Sequence, residues 1–396
     1  MQHLPEFPVL FILLNLVLRN AFRHKLRTLL TMVGLVVAIS AFGLLRTIVD
    51  AWYAGVEGTS STRLITRSAI SIGQPLPRYY AERIRKIEGV SGVTWANWFG
   101  GIYLDRRNFF ARFAVDGPSY FDIYPEYQLT DAERAAFMAD RQGAIIGRDL
   151  AQRFGWKVGD TIPLSGTIYP GNWSFTVRGI YASPDPATDE SIMLMHWSLL
   201  SENLRKRLGS TAAEQVALYV VGISDPSRAS TISQEIDALF RNSNAETKTE
   251  TEKSFQLGMV AMSQTVLMAI RAVSFVVILI IMAVMANTMT MTARERLAEY
   301  ATLKALGFSP AFVVKLLFGE SLMIAVIGGA IGMALTFPLT AAFVQQTGTL
   351  FKVFEVSQTT LVYQALAALV VGLLAAAWPA WKMSRIDIVQ GLRHVA

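Results

Sequence analysis

Few residues in this 396-residue chain could do covalent chemistry. The four histidines, His3, His24, His196 and His394, are scattered, and no pair has the spacing of metal ligands. No Gly-x-Ser-x-Gly run offers a nucleophile elbow, and the absence of cysteine excludes disulfides and thiolate metal sites. There is also no Gly-Lys dipeptide, hence no standard Walker A phosphate loop, and the chain is not expected to hydrolyse ATP. What remains is the stretch 292–307, TARERLAEYATLKALG, with Arg294, Glu295, Arg296, Glu299 and Lys304 beside Leu297, Leu303 and Leu306, closed by Gly307. On one short helix that mixture suits recognition. Exposed Arg296 and Glu299 would make charged contacts while the leucines lodge in a groove on a partner.

The elements that position this stretch are apolar. Apolar residues make up 52% of the chain and charged ones only 17%, and mean hydropathy is +0.37, values unusual for a purely soluble protein. The excess is clustered into runs long enough to cross a bilayer at 28–49, 272–293, 316–344 and 361–379. Basic residues set the orientation. Four lie in the leader 1–27, three in the linker 294–310 and three in the tail 380–396, against Lys352 alone in the short loop 345–360. Both termini and the linker are therefore expected in the cytoplasm, with residues 50–271 on the far side. The formal charge of +6 forms no stripe with interleaved aromatics, which argues against nucleic acid as a partner.

Several features refine this plan. Within 1–27, the run Val9 to Leu18 is too short to span and is followed by basic residues, the pattern of an amphipathic helix lying among lipid headgroups. Arg46 and Arg271 are expected to snorkel from the ends of the first two spans. Gly328 and Gly332 have the spacing that lets helices pack closely, within one subunit or between two. Glu320 sits about one turn past Lys315 near the inner boundary, where a structural interface role is expected. Trp378 suits an interfacial anchor, and Pro379 is expected to end or bend the last span.

The expected fold class is thus an α-helical membrane protein with four transmembrane helices and a large extracytoplasmic mixed α/β domain inserted between the first and second. In that domain two strand-helix-strand units, at 64–98 and 216–250, flank a middle section at about 119–203 that reads as an insertion. Trp95, Trp98, Phe99, Phe109 and Phe110 read as core, with a substrate groove as the alternative. The semi-apolar 254–270 reads as a helical stalk.

One span, a large external domain and three further spans resemble the MacB/FtsX-like permease family of ABC transporters. The most specific residues are Arg294-Glu295-Arg296 followed by Leu303-Lys304-Ala305-Leu306-Gly307, with Glu320 downstream. Leu18-Arg19-Asn20 with Lys25-Leu26-Arg27-Thr28-Leu29-Leu30 supports the resemblance at the start of the chain, and Pro379-Ala380-Trp381-Lys382 through Gly391-Leu392-Arg393 at its end. In the external domain, Ile146-Gly147 with Leu150-Ala151 and Val158-Gly159-Asp160 is similar to the family's periplasmic core domain.

The resemblance implies a permease subunit in the inner membrane that works with a second copy or a related permease and with separately encoded cytoplasmic ATPase subunits. It implies that the partner uses ATP and magnesium while this chain binds no cofactor. Arg294 through Gly307 would be the coupling helix that docks on the ATPase and transmits its motion to the periplasmic domain. The work done would be efflux or extraction of a periplasmic or membrane-associated substrate, with a periplasmic adaptor and an outer-membrane channel as further partners. Two alternatives stand beside transport: a transmembrane regulator of a cell-wall hydrolase, and a peptide sensor.

Overall fold

The computed structural model describes residues 23–57, 59–185, 188–347 and 354–385. The expected interfacial helix within 1–22, much of the loop 345–360 and most of the tail from 386 lie outside the described residues. In chain order the elements are helix α1 (Lys25–Glu57), strand β1 (Arg63–Ser68), β2 (Leu76–Pro77), α2 (Tyr80–Ile84), β3 (Val90–Trp98), β4 (Gly101–Ile102), β5 (Ala111–Val115), α3 (Gly117–Ile123), α4 (Asp131–Ala139), β6 (Gly143–Gly147), α5 (Arg148–Phe154), β7 (Thr161–Gly166), β8 (Gly171–Tyr181) and β9 (Ile192–His196). There follow α6 (Trp197–Leu208), α7 (Ser210–Ala213), β10 (Gln215–Val216), β11 (Leu218–Ile223), α8 (Ala229–Phe240), β12 (Thr247–Thr251), α9 (Glu252–Met262), α10 (Gln264–Glu295), α11 (Leu297–Ala305), α12 (Pro310–Thr347) and α13 (Gln358–Ser384). The chain forms two compact units, one built on the long helices and one on the sheet.

The sheet unit is a ten-stranded mixed sheet in the order β12-β1-β11-β3-β5-β9-β6-β8-β7-β4. The two strand-helix-strand units interlock: β1 pairs antiparallel with both β11 and β12, and β11 pairs with β3. This is the split β-α-β arrangement of ferredoxin-like folds. Strands β6 to β9, from the section expected to be an insertion, continue the same sheet beyond β5, to which β9 pairs in parallel. Alternating side chains sort onto two faces. Tyr219 and Val221 point to one core with Ile232, Ile236 and Phe240 of α8; Leu218 and Val220 belong to the other, with Tyr120 and Phe121 of α3 and Phe137 of α4. Each fully buried Phe or Leu contributes roughly 1.5–3 kcal/mol. Local chemistry fixes the helix starts. Thr130 and Glu133 form a reciprocal capping box on α4, and Thr251 accepts the Ser254 amide at the head of α9.

The five aromatics divide between core and surface. Trp95, Phe99 and Phe110 are buried, whereas Trp98 and Phe109 are about two-fifths exposed, at 39% and 42%. The stretch expected to be a stalk is two helices, with α9 closing at Ser263 before α10 begins.

In the helical unit α1, α10, α12 and α13 are long and apolar enough to cross a membrane. Leu35, Ile39, Met285, Ile324 and Val371 form its core. Gly328 and Gly332 meet α1 of the same chain: a Cβ at Gly328 would lie 2.9 Å from Leu35 Cδ2, and one at Gly332 would lie 3.0 Å from the Val36 carbonyl. Pro379 neither ends α13 nor stops it from reaching Ser384. The proline removes one donor, a loss that membrane helices tolerate when neighbours pack around it, and Pro379 is buried.

Candidate functional site

The stretch between α10 and α12 begins where Arg296 leaves helical geometry (φ −102°, ψ 15°) and separates Glu295 from α11. Helix α11 closes in a Schellman motif. The Phe308 amide donates to the Leu303 carbonyl at 3.1 Å and the Gly307 amide to the Lys304 carbonyl at 3.0 Å. Gly307 sits at φ +92°, with nothing near the position of a Cβ, so its glycine answers a backbone need. Pro310 then opens α12 at the position where a missing N–H costs nothing.

Arg296 is not an exposed docking residue. Its side chain is only 7% accessible and lies between two carboxylates: Nη1 donates to Glu320 Oε2 at 3.1 Å and Nε to Glu299 Oε2 at 3.0 Å. Its guanidinium lies 5.2 Å from the centre of the Tyr300 ring. The side chain of Glu320 is 4% accessible. A carboxylate buried in an apolar helix end needs a cation, and Arg296 supplies it, which is why the arginine turns inward. Burial works against the charge on Arg296, but Tyr300, Glu299 and Glu320 outweigh it and raise its pKa. Burial also opposes ionisation of Glu299, yet hydrogen bonds from Arg296 and then Arg23 hold its carboxyl below the ordinary glutamate range.

The remaining predicted residues separate into inward and outward sets. Leu297 and Leu303 pack against a cluster containing Tyr300, Val313, Leu317 and Met383. Lys304 Nζ donates to the Ser384 carbonyl at 2.9 Å, placing a cation on the last turn of α13. Arg294 is exposed, as are Gly307 and Leu306, whose side chain is 72% accessible, with Phe308 beside it at 45%. Glu295 accepts a two-pronged bond from Arg27, both arms 2.8 Å, and Glu299 pairs with Arg23. These leader partners were missed in the sequence, where the basic residues read as headgroup ligands. Oppositely charged groups expected on the same side of the bilayer were the available signal.

A second polar set lies among α1, α12 and α13. Fully buried Gln364 donates to the Ile39 carbonyl at 2.9 Å and to Thr336 Oγ1 at 2.7 Å, and a Cβ on Gly43 would collide with its Nε2 at 2.0 Å. Asp50 accepts from Ser357 at 2.9 Å and Thr360 at 2.8 Å, and Arg46, 3.8 Å from Asp50, lies over the Tyr363 ring. Arg46 is thus held by α13 and by its own helix. No group of three or more potential metal ligands occurs among the described residues.

Comparison with known proteins bears on the whole chain. Residues 28–239, 212 of the 396, match the family model for a MacB-like periplasmic core domain, and residues 271–388 match that for the FtsX-like permease C-terminal region. The probable syringafactin export ATP-binding/permease protein SyfD of Pseudomonas syringae is 22% identical over 405 residues, 93% of this chain and 58% of that protein. An ABC transporter permease protein of Mycobacterium tuberculosis is 24% identical over 208 residues, 51% of this chain and 22% of that one. The chain therefore spans less than two thirds of the length of these relatives. Among solved structures, the periplasmic region of MacB from Actinobacillus actinomycetemcomitans aligns with a TM-score of 0.36 at 11% identity, over 52% of this chain and 95% of that one. The extracellular domain of the Gram-positive transporter YknZ aligns with a TM-score of 0.34 at 12% identity, over 48% and 98%. With both family segments matched in order, across the sheet unit and all four long helices, the chain belongs to the MacB/FtsX-type family of ABC transporter permeases.

Proposed function

We propose that this permease transmits ATP-driven motion from a cytoplasmic ATPase to its sheet domain outside the membrane, for efflux or extraction of a periplasmic or membrane-associated substrate. The observation that carries the proposal is the construction of α11. Arg296 at its N-cap is paired with buried Glu320 of α12, Glu299 in its first turn with Arg23, and Glu295 at the end of α10 with Arg27 of α1, while Leu306 and Phe308 just past its C-terminus stay uncovered. A push on that apolar tip is delivered to two membrane helices through charge-assisted bonds, whose geometry resists sliding. The sequence has no Gly-Lys dipeptide, so the chain acts as a non-catalytic subunit and the phosphate loop, ATP and magnesium belong to the partner. Both termini then face the cytoplasm, as the basic residues favour. The likeness to SyfD, a probable export ATP-binding/permease protein, supports the transport reading.

The exposed tip supplies the test. In reconstitution with the ATPase, Leu306→Asp should abolish copurification and permease-stimulated ATP hydrolysis while leaving expression and thermal stability unchanged. Retention of both activities would refute docking at α11. Arg296→Glu is the wrong probe, because it sets a second carboxylate beside buried Glu320 and tests folding.

A further inference from the structure

The second face of the sheet is not fully covered. Ile65, Ala96, Phe113, Ile192, Leu218 and Val220, on five neighbouring strands, form the floor of a cavity of about 370 Å³. Its wall is aromatic: Tyr120, Tyr124 and Tyr127 stand together, with the Tyr124 and Tyr127 rings stacked at 5.5 Å, and Phe109 and Phe255 contribute further rings. The volume is at the low end for small-molecule sites and corresponds to roughly a dozen waters.

The charges on the lining are unbalanced. The lining carries three carboxylates, Glu126, Asp189 and Glu252, against one guanidinium, that of Arg63, which is already shared between Glu126 at 2.7 Å and Glu252 at 2.8 Å and lies over the Tyr124 ring at 4.3 Å. Among the described residues, the Asp189 side chain accepts from Ser191 alone, through its amide and hydroxyl. Glu252 is more than nine-tenths buried; its Oε2 accepts from Arg63 and the Ser60 amide, while Oε1 has no protein donor among the described residues. An anion entering here would meet three carboxylates and, among the described lining residues, no cation beyond the shared Arg63. A wholly apolar guest would strip water from the vacant carboxylate oxygen and return nothing for it. A cation on an apolar body would satisfy that oxygen while its body covers the apolar floor.

We propose that this cavity is a binding site for an organic ammonium group carried on a compact apolar body. The inference stands apart from the question of which partner moves the membrane helices. It is tested on the full chain in phosphatidylcholine nanodiscs with three probes of one shape, phenethylamine, 2-phenylethanol and phenylacetate, followed by saturation-transfer NMR against empty nanodiscs. The amine should bind at least tenfold more tightly than the alcohol, and phenylacetate should not bind. Glu252→Gln keeps the acceptor for Arg63 and Ser60 but removes the charge, so it should weaken the amine at least fivefold and leave the alcohol within twofold. Ala111, at the start of β5, also lines the cavity, and Ala111→Phe adds bulk there without removing a charge and should abolish both. If Glu252→Gln fails to fold, Ala111→Phe still locates the site and the amine-to-alcohol ratio still reads its charge preference. Equal binding of amine and alcohol, or amine binding that survives Ala111→Phe in a folded chain, overturns the proposal.

Discussion

Replacing Arg296 with methionine keeps a side chain of similar length and removes the guanidinium between Glu299 and Glu320. The two carboxylates are not equivalent. Glu299 is 41% accessible and can be rehydrated, so its share of the loss should stay below about 1 kcal/mol. Glu320 is 4% accessible, and Arg296 is its only hydrogen-bond donor among the described residues. Stranding it should cost about 3–5 kcal/mol. Glu320→Gln should cost less, about 1.5–3 kcal/mol, because Arg296 keeps Glu299 and the amide oxygen can still accept. Arg296→Met with Glu320→Met replaces the pair by apolar groups, and should restore most of what the single arginine substitution loses. Amide hydrogen exchange of α11 and the first turns of α12, on the chain in nanodiscs, reads these differences as protection. A loss of 3 kcal/mol is roughly two decades, and the largest losses are capped by the opening free energy of the helix itself. The order Arg296→Met, Glu320→Gln, Glu299→Gln, from most to least damaging, follows from the burial of Glu320 and from which substitution strands its charge. Equal effects of Arg296→Met and Glu299→Gln, or simple additivity in the double variant, would refute the buried-pair reasoning.

Gly307→Ala should destabilise the end of α11 by about 1–2 kcal/mol, purely through its φ of +92°, because no neighbour obstructs a Cβ there; a matching loss of protection at Phe308 is the readout. His196, buried with Nε2 donating to the Phe137 carbonyl at 2.7 Å, gives a pH dependence. Burial lowers its pKa below the ordinary histidine value, with the carbonyl and nearby Asp140 and Asp116 opposing in part. The unfolded chain therefore takes up the proton first, and protection of β9 should be full above about pH 6.5 and fall as pH drops toward the native pKa, by at most ~1.4 kcal/mol per pH unit. His196→Gln should flatten that slope, and an unchanged slope would assign it to other groups.

What was legible in the sequence followed from composition and local pattern. The four apolar runs, their order around a mixed domain and the charged stretch before Pro310 needed only hydropathy, length and basic-residue counts. The sheet was legible strand by strand but not in its order. Nothing local to residues 143–147 or 192–196 says that β6 and β9 continue the sheet begun by β3 and β5, because pairing across such separations depends on the whole core. The direction of Arg296 was misread for a related reason. An i,i+3 pair with Glu299 looks like a solvated helix face, and only the approach of Glu320, 24 positions away, turns the guanidinium inward.

The polar residues inside the helical unit carry that point further. Gln364 lies in an apolar run, yet it is fully buried, bridges α13 to the Ile39 carbonyl and to Thr336, and occupies the space a Cβ at position 43 would need. In hydrocarbon an amide without partners is costly; the Nε2 group of Gln364 finds acceptors on two neighbouring helices, while its Oε1 has no donor among the described residues. Such a side chain fixes helix register in a way interchangeable leucines cannot. The unit has these fixed points at both ends of α1, with Arg27–Glu295 and Arg23–Glu299 at its start and Gln364 and Asp50 further along. A helix pinned by polar contacts near both ends transmits displacement as a rigid body, whereas one held only by apolar packing can slip. If α1 carries the motion proposed for this permease, those contacts, rather than its hydrophobicity, make it able to do so.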